Sequence, residues 1–209
     1  MILSAYAAGG DAAELGDGLI GPAMCRIGQE WRAGTLDVYQ EHRATRIVES
    51  ALDELIHHAP TPDPAGHPSQ LAIGATPEGD LSTLPGLLVE LVLRELGWEV
   101  INLGPNLPTS SLTRAVKAHR PDLVWLSVNH PSDEGRFLKE FGVLSEAVVE
   151  EGASLVAGGN GLRPDLRARM VGARIAERLV QLRDLARELQ AADTGFGPGT
   201  SDSPVSSDH

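Results

Sequence analysis

The stretch Leu71-Ala72-Ile73-Gly74-Ala75-Thr76-Pro77-Glu78-Gly79-Asp80-Leu81-Ser82-Thr83-Leu84-Pro85 decides the fold. It opens with a short apolar run, Leu71 to Gly74, too brief for a helix and suited to a strand buried on both faces. A long polar loop follows. Pro85 then stands where a first helical residue can lack its N–H without loss. The same alternation repeats downstream. Further strands are expected at Glu99–Leu103, Leu123–Leu126 and Ser154–Ala157, with a shorter fifth at Ala173–Ala176. Amphipathic helices are expected at Leu84–Leu96, Leu112–His119, Phe137–Val149 and Glu177–Gln190. Buried strands alternating with helices mean right-handed βαβ units, so this half is an α/β domain with a doubly wound, five-stranded parallel sheet.

Upstream the period is helical. Leu15, Leu19, Ala23, Ile27 and Trp31 recur every fourth residue, with Pro22 marking a kink or a break. Arg32-Ala33-Gly34-Thr35 interrupts the pattern, and Thr35 is positioned to cap a second helix. That helix carries a stripe of Val38, His42, Thr45, Val48, Leu52, Leu55 and Ile56, with Glu41 and His42 on or beside it. The organisation expected is a helical cap at 1–59, a proline-rich linker at 60–69, the α/β domain at 70–193 and a disordered tail at 194–209.

Composition narrows the class. The 209 residues are 42% hydrophobic and 22% charged, with a formal net charge of −12. Such a balance argues against direct nucleic-acid binding, which needs clustered Lys and Arg. The lone cysteine, Cys25, excludes an internal disulfide framework and a cysteine-rich zinc site. No apolar run is long enough for a membrane span and no signal peptide is evident, so a cytoplasmic protein is expected. His57-His58 are adjacent on a helix and diverge, so no metal site is expected there.

In an open parallel sheet a ligand sits beyond the carboxyl ends of the strands. Three loops of unusual composition fall there: Ala75–Thr83 after the first strand, Ser127-Val128-Asn129-His130 after the third, and Gly158-Gly159-Asn160-Gly161 after the fourth. Neither a dinucleotide-binding Gly-x-Gly-x-x-Gly, a phosphate-holding Gly-Lys-Ser/Thr pair nor a Gly-x-Ser-x-Gly elbow occurs, so the common nucleotide and hydrolase chemistries are excluded. No catalytic residue is nominated, and the chain reads as a binding module rather than an enzyme.

Trp31 followed by Glu41-His42, within a helical segment that also contains Ile27-Gly28-Gln29-Glu30-Trp31-Arg32-Ala33-Gly34, resembles the cobalamin-binding module of CarH- and LitR-type photoreceptor regulators. Leu103-Gly104-Pro105 after the second strand and Gly158-Gly159 after the fourth are similar to segments of that family. The resemblance spans roughly residues 11 to 190. It implies a flavodoxin-like sheet under a helical cap, with cobalamin between them. Trp31 would cover an adenosyl group, Glu41 and His42 would line its pocket, and Gly158-Gly159 would admit the nucleotide tail. Gly79, Asp80, Ser82, Gly104, Ser127 and Asn129 complete the cofactor-binding set that the resemblance nominates. It further implies light-driven signalling through a protein partner or a homo-oligomer.

The residues leave a plainer reading open, in which Trp31 and His42 are core and Glu41 caps a helix or faces water. Departures from the family pattern are also plain. The Asp-x-His-x-x-Gly motif, whose histidine holds cobalt from below, reads Asp80-Leu81-Ser82-Thr83-Leu84-Pro85 here, with Ser82 in the histidine's place. Arg32 stands where a second histidine often follows the tryptophan. A hydroxyl is a poor cobalt ligand. Cobalamin, favoured in its adenosyl form and with its own benzimidazole as lower ligand, is the leading cofactor that the resemblance implies, and haem or a bilin is the alternative. His130 is the substitute ligand nearest the crevice. A corrinoid carrier for a methyltransferase and a module without cofactor are the competing functions.

Overall fold

The computed structural model describes residues 1–60, 70–131 and 133–194. The expected linker and tail lie outside these residues, except that Pro60 is described and Thr194 still belongs to the last helix. Five parallel strands, β1 (Leu71–Ala75), β2 (Glu99–Asn102), β3 (Leu123–Ser127), β4 (Ser154–Gly158) and β5 (Arg174–Ala176), form one sheet in the order β2-β1-β3-β4-β5. This is the flavodoxin-like order, and its switch point lies between β1 and β3. The α/β, doubly wound, five-stranded parallel sheet expected from the sequence is the observed fold.

Helices α5 (Leu84–Glu95) and α9 (Leu179–Thr194) cover one face of the sheet, and α6 (Thr109–His119) and α7 (Glu134–Glu150) cover the other. A one-turn helix, α8 (Pro164–Arg167), precedes β5; four residues are too few to leave a periodic signal. On the α6/α7 face Ile73, Val124, Leu126 and Leu155 meet Leu112, Phe141 and Leu144. The other face presents Ala72, Leu123, Trp125 and Val156 to α5 and α9. Gly74 pairs with Trp125 across β1 and β3, and a Cβ on Gly74 would come within 2.0 Å of the indole. Glycine there is what lets a tryptophan lie against the sheet.

The N-terminal helices stack on the α5/α9 layer. They are α1 (Ile2–Ala7), α2 (Ala12–Leu15), α3 (Gly21–Arg32) and α4 (Val38–His58). The single stripe read across Pro22 is a continuous helical rod, α2 to α3, joined by a π-helical turn at Gly16–Ile20. The Gly21 N–H reaches back to the Gly16 carbonyl, so the ladder accommodates the N–H that Pro22 lacks by widening rather than breaking. Helix α4 starts not at Thr35 but behind Asp37, which forms a reciprocal capping box with Gln40. Thr35 instead donates to the Glu30 carbonyl at 2.9 Å, closing the end of α3.

Long-range polar contacts latch the two halves together. Asp17 accepts from the backbone N–H groups of Leu179 and Val180 at 3.0 and 3.1 Å, capping α9 from the π turn. Arg183 pairs with Asp11 at 3.1 Å, and the Ala12 N–H donates to Glu95 at 3.0 Å. No described helix is long and apolar enough to cross a membrane.

Candidate functional site

Three loops converge at the carboxyl edge, and one side chain ties them. Asp80 has no solvent exposure. Its Oδ2 accepts from the N–H groups of Asn129 and His130 at 2.6 and 2.9 Å, and its Oδ1 from the Ser82 N–H at 3.1 Å. Its own carbonyl accepts from the Asn106 N–H. The loop after β2 joins through Thr76, whose N–H donates to the Gly104 carbonyl at 3.0 Å, and through the Gly79 N–H, which donates to Asn106 Oδ1 at 2.8 Å. The Asn160 N–H approaches Asn129 Oδ1, bringing in the loop after β4. Asp80 is thus a knot in the floor of the crevice.

Two cavities flank this knot, and cap residues close both. The first, about 190 Å³, lies over the ends of β3, β4 and β5. Ser127, Asn129, Gly158 and Gly159 line it from below, and Gly16 and Asp17 of the π turn line it from the cap. The second, about 200 Å³, lies over β1 and β2 between Gly104 and the α4 residues Arg46, Glu49 and Asp53. There Arg46 pairs with Glu49 at 2.5 Å and Thr83 donates to Glu49. Each volume is below the roughly 300 Å³ at which pockets begin to enclose a whole small ligand. They suit arms of a larger ligand that lies across the edge.

The α3–α4 hairpin meets the site through Arg46, Glu49 and Asp53 of α4. Glu49, Leu52 and Leu55 are the buried residues of α4, and α3 buries none. Trp31 is 47% exposed, and the His42 side chain is 75% exposed. The inward-facing stripe expected to carry Trp31, Glu41 and His42 therefore holds only from Val48 onward. Toward the α3–α4 turn Trp31, Val38, Tyr39 and His42 are exposed. Glu41 accepts from the Thr45 hydroxyl at 3.0 Å, with His42 Nε2 3.7 Å away. Neither Trp31 nor His42 is core.

The nominated residues thus fall into three places. Gly79, Asp80 and Ser82 build the knot, with Ser82 giving its N–H to Asp80 and its carbonyl to the Thr76 hydroxyl. Ser127, Asn129, Gly158 and Gly159 line the first cavity, and Gly104 the second. Trp31, near the end of α3, and Glu41 and His42, near the start of α4, line neither cavity. His130 is exposed, and its N–H rather than its ring is the part tied to Asp80. Sequence reasoning missed Trp125, Asp17 and Glu49. Trp125 reads as one apolar residue of a strand, and the partners of Asp17 and Glu49 are distant in sequence.

The glycines at the first cavity have a physical requirement. Gly159 has φ +112°, and a Cβ there would come within 2.2 Å of the Val128 carbonyl oxygen. On Gly158 it would meet the Ala176 carbonyl oxygen at 2.6 Å. Any side chain would close the cradle. Two enclosed donors on lining residues, Trp125 Nε1 and Asn129 Nδ2, have no partner. An arm with apolar surface and a hydrogen-bond acceptor fits such walls. Among the described residues no three His, Cys, Asp or Glu groups assemble into a metal site.

A helical cap joins a flavodoxin-like sheet, with cavities at the joint, and residues 1–56 match the family model of the B12 binding domain. The chain is a homologue of the CarH-type B12-binding modules. It is 39% identical over 112 residues to the HTH-type transcriptional repressor CarH of Myxococcus xanthus, covering 53% of this chain and 36% of that protein. To the repressor CarA of the same organism it is 32% identical over 164 residues, covering 77% of this chain and 52% of that protein. The chain thus spans between about a third and about half of these curated relatives. The monomethylamine corrinoid protein of Methanosarcina barkeri shares the fold, with a TM-score of 0.66 at 19% identity, covering 90% of this chain and 88% of that one.

Proposed function

We propose that this chain is a sensory module that binds cobalamin, in its adenosyl form, between the α3–α4 hairpin and the carboxyl edge of the sheet. The observation that carries this reading is the pair of arm-sized cavities closed between cap and sheet by Gly16, Asp17, Arg46 and Glu49, in a cap that leaves Trp31 half exposed. A tryptophan half open to water is stabilised once a flat ligand covers it, at roughly 25 cal/mol for each Å² of apolar surface removed. Trp31, Glu41 and His42 then form the upper wall. Gly79, Asp80, Ser82 and Gly104 form the floor, and Ser127, Asn129, Gly158 and Gly159 take the nucleotide arm. Bound cobalamin supplies a light-sensitive cobalt–carbon bond. The chain's own part is to hold the ligand, exclude water from its upper face and change its protein contacts when that face changes.

The partner proposed is a protein or a second copy of this chain, since the net charge of −12 disfavours phosphate backbones. Homology to two transcriptional repressors supports a regulatory rather than a catalytic role. The test is an absorption spectrum of protein purified in the dark, after adding adenosylcobalamin, and again after green light. A retained cobalamin spectrum that changes on illumination supports the whole reading. Retention without a light response leaves a binding module and removes the photoreceptor role. Failure to retain cobalamin overturns the reading, and titration with haem and biliverdin then asks whether the pocket takes another tetrapyrrole.

A further inference from the structure

From Leu88 to Leu93 every residue of α5 is buried, and all but Glu90 are apolar. The Glu90 residue is 9% exposed, and both its carboxylate oxygens are bonded. Arg94 Nε donates to Oε1 at 2.9 Å, and Asn102 Nδ2, at the end of β2, donates to Oε2 at 3.1 Å. A buried ion pair is weak support for stability, since apolar side chains of similar size often pack there as well or better. Its use lies one bond further on. With Nδ2 given to Glu90, Asn102 turns its Oδ1 to the Gly104 N–H, which donates to it at 3.0 Å. An amide has one oxygen and one NH2, so a carboxylate on one side fixes which end faces the other. Gly104 has φ +77°, and its carbonyl accepts from the Thr76 N–H at 3.0 Å. Asn102 and Gly104 line the second cavity, and Glu90 does not.

We infer that Glu90 is a positioning residue for the cavity over β1 and β2: acting through Asn102, it sets the Gly104 turn in the wall of that cavity. The inference rests on the corrinoid reading above for its ligand, and adds a residue that acts on the site only through another. Glycine gives the turn no side chain to stiffen it. Its position is therefore set by hydrogen bonds, Asn102 on its N–H and Thr76 on its carbonyl. Without an acceptor behind it the Asn102 amide is free to rotate. Nδ2 facing the Gly104 N–H would set donor against donor, and the turn would have to move. The bond to Thr76 passes that position on to the loop after β1, which Asp80 ties to the loop after β3. No local pattern reveals the link, because Glu90 and Asn102 lie on different elements, 12 positions apart.

The test uses the full chain with cobalamin as the probe, and amide hydrogen exchange of the ligand-free protein as a second readout. Glu90→Ala is expected to weaken cobalamin binding at least about tenfold and to speed exchange at the Gly104 N–H. Glu90→Gln keeps an acceptor for Asn102 and should recover most of that loss. Asn102→Asp keeps the acceptor for Gly104 but sets a carboxylate against Glu90, and should lose affinity as Glu90→Ala does. Adding Glu90→Gln to it supplies a donor again and should restore binding. Recovery in the double variant is the signature of positioning, because two merely structural losses would add. An unrecovered double variant, or a loss in Glu90→Gln equal to that in Glu90→Ala, overturns the inference. Should Glu90→Ala fail to fold, the comparison of Asn102→Asp with the double variant decides by itself. If the unaltered chain binds no cobalamin, the corrinoid reading falls and Gly104 exchange decides the link. Unchanged protection in Glu90→Ala then overturns it, and faster exchange upholds it.

Discussion

Asp80 illustrates how much one carboxylate decides at this edge. It is a buried anion with no ion-pair partner among the described residues, and its charge is met by the N–H groups of Ser82, Asn129 and His130. A charge removed from water needs such donors. Because two of the donors follow β3 and one follows β1, the carboxylate fixes the switch point at which a ligand would lie. Asp80→Asn keeps the shape and turns one acceptor into a donor that faces N–H groups. It should lower unfolding stability by about 1–3 kcal/mol, measured by urea denaturation, with the far-ultraviolet circular dichroism unchanged. An unaltered midpoint would show that the loops hold without the charge. The sequence singled out Asp80 as a ligand-binding residue by resemblance. Its structural work, tying loops whose residues lie 49 and 50 positions apart, has no local signature.

Among elements, the strands were the most legible. Val124, Trp125 and Leu126 are buried on both faces of β3, so a continuous apolar run and the fold it implies are the same fact. The cap was less so. Asp37 with Gln40 three residues on was a capping signal present in the sequence, yet Thr35 offered the same chemistry nearer the break. Pro22 marked a disturbance but could not say whether the rod bends, breaks or widens into a π turn, because that depends on what packs on Gly16. A Cβ on Gly16 would come within 2.2 Å of Leu179. The Gly158-Gly159 end of β4 was legible as a place of close backbone approach, and both glycines line the first cavity. Gly159→Ala forces a Cβ against the Val128 backbone at positive φ, where neither wall is a flexible side chain. It should cost about 3 kcal/mol of stability or more, read as a lower urea midpoint. A variant with wild-type stability would show that the loop has room the geometry denies.

At the scale of the whole molecule, the cap is joined to the sheet domain by contacts no sequence window contains. Ala12 meets Glu95 across 83 positions, and Asp17 meets Leu179 across 162. This joint also makes stability depend on pH. Burial raises the Glu95 carboxyl above its usual value, against the opposing hydrogen bonds from Tyr6 and the Ala12 N–H. The neighbouring Asp11 goes the other way: burial would raise it, but Arg183 and the N–H groups of Glu14 and Ala13 together outweigh that and hold it low. Between the unfolded and folded values of Glu95 the folded protein binds more protons, so this residue's contribution falls as pH rises through that window. Asp11 contributes stability that is present above its unfolded value and lost as pH falls through its folded one. The two trends oppose each other in the wild type, and Glu95→Gln separates them. Glutamine keeps an acceptor for the Ala12 N–H and has nothing to titrate. Relative to the wild type, the variant should therefore gain stability as pH rises from the usual glutamate value through the raised value of the folded state, read as a widening difference in urea midpoints. Parallel profiles would mean that Glu95 titrates alike in the folded and unfolded chains, and that the joint between cap and sheet does not sense protons through it.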